Sequence, residues 1–310
     1  MLTLLAVTAL PSLAQSSLVA TLVHDGNIST YYSANALKDA YNAAVDGDII
    51  TLSAGTFNAT DITKRITIRG AGSELDKNPT ILSGQFEIKD GDGNLEQQIL
   101  IEGIYADYFR CRSLTNATFL KCEFAPGNTL IGTTSSSQSL TNVNFIQCII
   151  SLVESGYDII TFNNCVINSL YSTNSNSHVI EINNCVINKA RNYACITCTN
   201  SFIKPDYETF TSFSNSRLIN CVVPLSRSIS CENINCKTVP YDIEPFEDGY
   251  HLKSEYASEW LGNDGKEIGI YGGSLPYDPT TTNPQISKFN VSSKTTADGK
   301  LSVDIEVKAE

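Results

Sequence analysis

The sequence is poor in charge. Only 17% of its 310 residues are Asp, Glu, Lys or Arg, and 21 basic side chains face 33 acidic ones, for a net charge of −12. A chain this acidic, without a basic tract, has no means of drawing in a phosphate backbone, which argues against nucleic acid as a partner. Histidine is scarce, at His24, His178 and His251 only, and methionine is confined to the initiator. Beyond the first residues no run is long and apolar enough to cross a bilayer, so no transmembrane segment is expected. With 42% hydrophobic residues the chain is too apolar to be disordered. Ten cysteines are too few, at this length, for a disulfide-dense miniprotein. What the chain does have is asparagine, 27 of them.

Residues 2–10 are apolar, Pro11 follows, and the small residues Ser12 and Ala14 precede Gln15. This pattern predicts a signal peptide over residues 1–14, although the usual positive start is missing. Neither position 15 nor 16 is a cysteine, so a lipid anchor has no support. The expected location is exported: periplasm, cell surface or extracellular space.

A repeat decides the fold class. Asn164-Cys165-Val166-Ile167 returns as Asn184-Cys185-Val186-Ile187 and as Asn220-Cys221-Val222-Val223, with Asn200-Ser201-Phe202-Ile203 between them. Gln147-Cys148 and Lys121-Cys122 begin earlier copies, and weaker ones stand at Gly103 and Cys236. Three places before the Cys position stand Phe119, Phe145, Phe162, Ile182, Cys198 and Leu218. Two places after it stand Phe124, Ile150, Ile167, Ile187, Ile203 and Val223. Both columns are apolar yet five residues apart, which a strand's period of two cannot place on one side. The parity must break, and it breaks at the asparagines, which tolerate a left-handed backbone. Each copy is therefore two short strands meeting at an Asn corner. Copies of 16–20 residues stacked on one another make a solenoid, read here as a parallel β-helix.

At the start, Ser33 is positioned to cap a short helix with Leu37, Tyr41, Ala44 and Val45 on one face. Asp48–Phe57 and Ile66–Gly72 then follow as strand and glycine turn, and Gly262-Asn263-Asp264-Gly265 with Glu267–Gly273 stands at the far end. In these segments the chain resembles the right-handed parallel β-helix, or pectin-lyase-like, superfamily. The end and the tail after it look similar to uncharacterised exported β-helix proteins of Bacteroidota. The resemblance implies an all-β right-handed solenoid of about nine coils over residues 15–280, with an N-terminal capping helix and with Gly262–Gly273 in the last coil. Residues 281–310 are expected as a short C-terminal β tail. For function it implies little, because the superfamily includes lyases, hydrolases and adhesins.

Parallel register points equivalent side chains the same way at a spacing wider than a disulfide's, so Cys122, Cys148, Cys165, Cys185 and Cys221 read as buried free thiols. Cys111 and Cys231 lie off the column and are open to a disulfide. Cys195 and Cys198 form a Cys-x-x-Cys, but positions three apart on a strand face opposite sides and no second pair exists. Asp90-Gly91-Asp92-Gly93-Asn94 imitates a calcium loop, yet Leu95 and Ile101 stand where glycine and glutamate are needed. No metal or other cofactor is expected.

The outward column four before the Cys offers Glu181 and Arg217, two coils apart. Asp107, Arg110, Arg112, Lys121 and Glu123 form a second charged group. Asp107, Arg110, Arg112, Lys121, Glu181 and Arg217 are the candidate binding residues of the outer face, and Tyr105, Tyr108, Phe109 and Tyr157 are candidate aromatic partners for a glycan. Neither charged group is a paired carboxylate set, so no catalytic residue is assigned. One column defies the alternation: Ile149, Val166, Val186, Phe202 and Val222 follow the Cys and should point outward, while the sixth member is Glu123. An apolar outer strip of this size calls for a cover. The alternating tail residues Leu301, Val303, Ile305 and Val307, with Ile286–Val291 as a hairpin partner, are expected to pack on the strip or to shield the end of the solenoid; the alternative is that both surfaces await a partner or a second copy of the protein.

The reading is an exported non-catalytic scaffold that binds a polysaccharide or a surface protein. A polysaccharide lyase or glycoside hydrolase with an outer cleft is the alternative, and a structural component of a surface assembly is the third.

Overall fold

The computed structural model of the chain describes residues 18–127, 129–132, 139–155, 158–172, 179–191, 193–194, 196–206, 212–224, 230–283, 285–295 and 298–308. The expected signal peptide, Tyr157, His178 and Cys195 lie outside these residues.

The chain winds into a parallel β-helix. Successive turns each give one strand to two long sheets. The first sheet runs from Ile49–Leu52 through strands such as Leu114–Leu120, Leu140–Ile146, Ile159–Asn163 and Val179–Asn183 to Ser230–Ile234. The second holds the strands that follow them, from Gly55–Asn58 through Val166–Ser172 and Val186–Arg191 to Lys237–Val239. Register follows the repeat: Phe119, Phe145, Phe162, Ile182, Cys198 and Leu218 are successive neighbours in the first sheet. Phe124, Ile150, Ile167, Ile187 and Ile203 are neighbours in the second. All are buried. Between the two sheets the backbone is left-handed at Asn164, Asn184, Asn200 and Asn220, with φ of 53, 52, 52 and 49°. Lys121 and Gln147 take the same conformation at the same place, and Gly103 joins them, which puts Ile104 rather than Gly103 in the Cys column.

A second parity break makes a third wall. Along Ile104–Cys111 the buried positions shift from Ile104 and Ala106 to Phe109 and Cys111. A register shift between Leu82 and Gln85 on the neighbouring strand marks the same bend. The lumen is filled by stacked rings: Phe119 on Phe145 at 4.7 Å, Phe145 on Phe162 at 5.1 Å, and Phe109 on Phe124 at 4.0 Å.

The Cys column is a ladder of thiols. The Cys148 amide donates to Cys165 Sγ at 3.4 Å, the Cys165 amide to Cys185 Sγ at 3.3 Å, and the Cys185 amide to Ser201 Oγ at 2.9 Å. Burial pushes the thiols of Cys122, Cys148, Cys165 and Cys221 well up, keeping them protonated. All described cysteines are free, so Cys111 and Cys231 form no disulfide. Cys111 faces the lumen beside Ile88 and Ile131, while Cys231 lies in the final strand of the first sheet, many coils away.

At the N-terminal end Val19–His24 pairs antiparallel with both Asn27–Tyr32 and Ile49–Leu52, a hairpin without a signature in the repeat. The helix is Ala36–Ala43 and buries Ala36, Leu37, Ala40 and Tyr41. Its N-cap is Asn35 rather than Ser33, whose Oγ accepts from the Asn35 amide at 3.1 Å, and Val45 is exposed because the helix has ended. Among the described residues no helix is long and apolar enough to cross a membrane.

The largest departure follows Val239. Gly262–Gly273 does not form a further coil; residues 240–283 run back along the outside of the solenoid as a strap. The hairpin of Gln285–Thr295 and Leu301–Lys308 forms in the expected pairing. Its Val303 and Ile305 remain about half exposed, and the described partners of the apolar strip come from the strap instead. Deleting residues 285–310 is therefore expected to leave apolar-dye binding unchanged or lower. A rise in dye fluorescence would return the tail to the role of cover.

Candidate functional site

The left-handed corners both turn the chain and hold the strap. Asn200 exchanges hydrogen bonds with Asn263, giving its Nδ2 to Oδ1 at 2.9 Å and accepting the Asn263 amide at 3.1 Å. Asn164 Nδ2 donates to the carbonyls of Ile270 and Gly272, both at 2.8 Å. Gln147 Nε2 donates to Pro276 O at 2.6 Å, and Lys121 Nζ donates to the Thr280 carbonyl. The buried Glu102 carboxylate accepts from the amide and hydroxyl of Thr282 at 2.8 and 2.7 Å, and Asn283 donates to Gly70 O at 2.6 Å. The strap thus descends the corner column from the last coils to the first. Its glycines are required by close approach: a Cβ on Gly262 would meet Asn200, and one on Gly272 or Gly273 would meet Asn184, all inside 3.0 Å.

Over the second sheet the strap covers the strip. Val166, Val186, Phe202 and Val222 pack with Leu252, Trp260, Ile268 and Ile270 into an apolar core outside the lumen. Phe246 meets Phe202 edge-on at 5.1 Å, and Trp260 lies parallel to Phe202 at 6.4 Å. Burying each such side chain contributes about 1.5–3 kcal/mol, so the strip functions as an internal interface.

The cover is incomplete at one end of the strip, and there a cleft of about 540 Å³ opens. Its floor is Glu123, Ile149 and Val166, which are neighbours in the sheet. One wall is the loop carrying Glu74, Asp76 and Lys77, and the other is the strap with Tyr250, Tyr271 and Tyr277. The tyrosines are fixed in place. Tyr271 donates its hydroxyl to Gly249 O at 2.9 Å and stacks on His251 at 3.6 Å, and His251 in turn meets Glu267 at 3.1 Å. Tyr277 stands edge-on to Tyr271 at 6.2 Å. Tyr250 accepts Asn188 Nδ2 at 3.3 Å. Lys77 places its ammonium 3.0 Å from both oxygens of Glu74. Burial, and after it the Glu74 carboxylate, pushes the Glu123 carboxyl upward; burial likewise raises Tyr277 and Tyr271.

The charged residues expected from sequence do not converge. Arg110 lies over the Tyr108 ring at 4.8 Å, Arg112 meets Glu87 at 3.5 Å, and Asp107 is half-buried on the strand carrying Arg110. Glu181 stands on the first sheet between Thr161 and Thr197, and Arg217, two coils beyond Glu181, pairs with Glu232 at 3.2 Å. Lys121 is not among the residues lining the cleft and is committed to the strap, through Thr280 and Asp278. Of the expected aromatics, Phe109 is lumen core, Tyr105 is the half-buried neighbour of Glu123, and Tyr108 lies under Arg110. Tyr250, Tyr271, Tyr277 and Glu74 were missed because the strap and the loop have no period. One signal was available: the single acid in the apolar column, Glu123, marks where the cover stops.

Among the described residues no cluster of His, Cys, Asp or Glu has the makings of a metal site. Asp90, first in the calcium-like loop, instead receives Arg65 Nη2 and the Thr115 amide, both at 3.0 Å. The fold and cleft define a parallel β-helix with a strapped flank and an aromatic, acidic recess. No protein-family model, curated protein or solved structure matches the chain.

Proposed function

We propose that the chain is an exported, non-catalytic β-helix protein that binds a saccharide of a surface or matrix polymer in the cleft under the strap. The observation that carries this reading is the cleft itself: fixed tyrosine rings facing carboxylates across a recess in the size range of small-ligand sites. Tyrosine rings offer a sugar an apolar face, and the carboxylates accept its hydroxyls. The pectin-lyase-like ancestry suggested by the sequence agrees with such a role and belongs to the same proposal.

A second reading is glycoside hydrolysis. It is favoured by the upward shift that burial gives the Glu123 carboxyl, the direction a general acid needs, with Glu74 as the second carboxyl. A glycan-array screen with a parallel reducing-end assay separates the two. Binding without product release is expected, and Tyr271→Ala should weaken binding about tenfold or more. Release abolished by Glu123→Gln would establish the second reading. Binding that ignores Tyr271→Ala would remove the cleft from the first.

A further inference from the structure

The charges of the cleft are unequal. Glu74, Asp76 and Glu123 face one lysine, and Lys77 is already spent on both oxygens of Glu74. Lys121, two residues before Glu123, is turned to the strap. Among the described residues neither Glu123 nor Asp76 meets a cation within ion-pair distance. An anionic sugar entering this recess would add like charge in a partly desolvated space. A cation would instead meet an unpaired carboxylate and the electron-rich rings of the tyrosines that line the recess.

We propose that the sugar bound in this cleft carries an amine, held as its ammonium between the Tyr271 and Tyr277 rings and the Glu123 carboxylate. The inference rests on the saccharide-binding reading and narrows it to amino sugars, with polyuronates excluded. Half-burial of Glu123 supports it, since an ammonium would compensate a carboxylate that the protein leaves without a partner.

The test is calorimetric titration of the full chain in low-salt buffer slightly below neutral pH. The probes are a short glucosamine oligomer, its N-acetylated counterpart and an oligogalacturonate of equal length. The glucosamine oligomer should bind about tenfold more tightly than the N-acetylated one, and the oligogalacturonate should give no heat. In Glu123→Gln, which keeps the side-chain shape, the two glucosamine-based oligomers should bind about equally. Equal or reversed preference in the unaltered protein, or a preference that survives Glu123→Gln, overturns the amine assignment while the saccharide reading stands. Tight binding of the oligogalacturonate overturns it too. Silence with every sugar takes down both.

Discussion

Asn164→Ala should destabilise the protein by about 2–5 kcal/mol, more than its small size suggests. Asn164 does two things at once. Its backbone is left-handed at φ 53°, where an alanine is strained by about 1–2 kcal/mol. Its buried amide donates to Ile270 O and Gly272 O, and stranding those carbonyls costs about 1–3 kcal/mol. Asn164→Gly separates the contributions, because glycine keeps the corner and loses only the strap bonds. In chemical denaturation the glycine variant should recover about 1–2 kcal/mol of the alanine loss. Protease nicking of the strap should rise equally in both variants. If glycine and alanine are equally damaging, the corner backbone is not under constraint there and the Asn column needs another explanation.

Trp260→Ala should cost about 3–5 kcal/mol as well, but in a different part of the molecule. The indole is 3% exposed, packed against Phe202 and stacked on Tyr256 at 4.5 Å. All of this lies in the outer core between strap and sheet, apart from the lumen. The expected result is local: dye binding rises as Phe202 and Val222 are uncovered, while the far-ultraviolet signature of the β-helix persists. Phe145→Ala, of similar size in the lumen, should instead lower the stability of the coils themselves. Loss of the whole β signature in Trp260→Ala would mean that the two cores unfold as one.

The solenoid was legible because its information is local and repeated. Phe145 and Ile150 already show in one coil that the parity must break between them, and the next coil repeats the statement at Phe162 and Ile167. Stacking then needs a neighbour only one coil away. The same logic identified Cys148, Cys165 and Cys185 as lumen thiols. Charged outer residues gave no such constraint. Glu181 and Arg217 share a column, yet Arg217 takes the nearer Glu232, and the spacing of charges along a strand does not say which neighbour each will choose. The strip was readable as a surface in need of a cover, but the identity of the cover was not. The alternating tail satisfied every local criterion for it, while the segment that packs there has no period at all.

The sequence by itself therefore determined the coil: which residues face the lumen, where the backbone turns left-handed, and that one outer column must be hidden. Only the tertiary structure decided the course of residues 240–283, because Asn164 and Gly272 meet across 108 positions of chain and no local preference encodes that contact. The cleft follows from this course. Tyr271, Tyr277, Glu74 and Glu123 come from segments with nothing in common along the sequence, and they form one site only where the returning strap stops short of covering the strip.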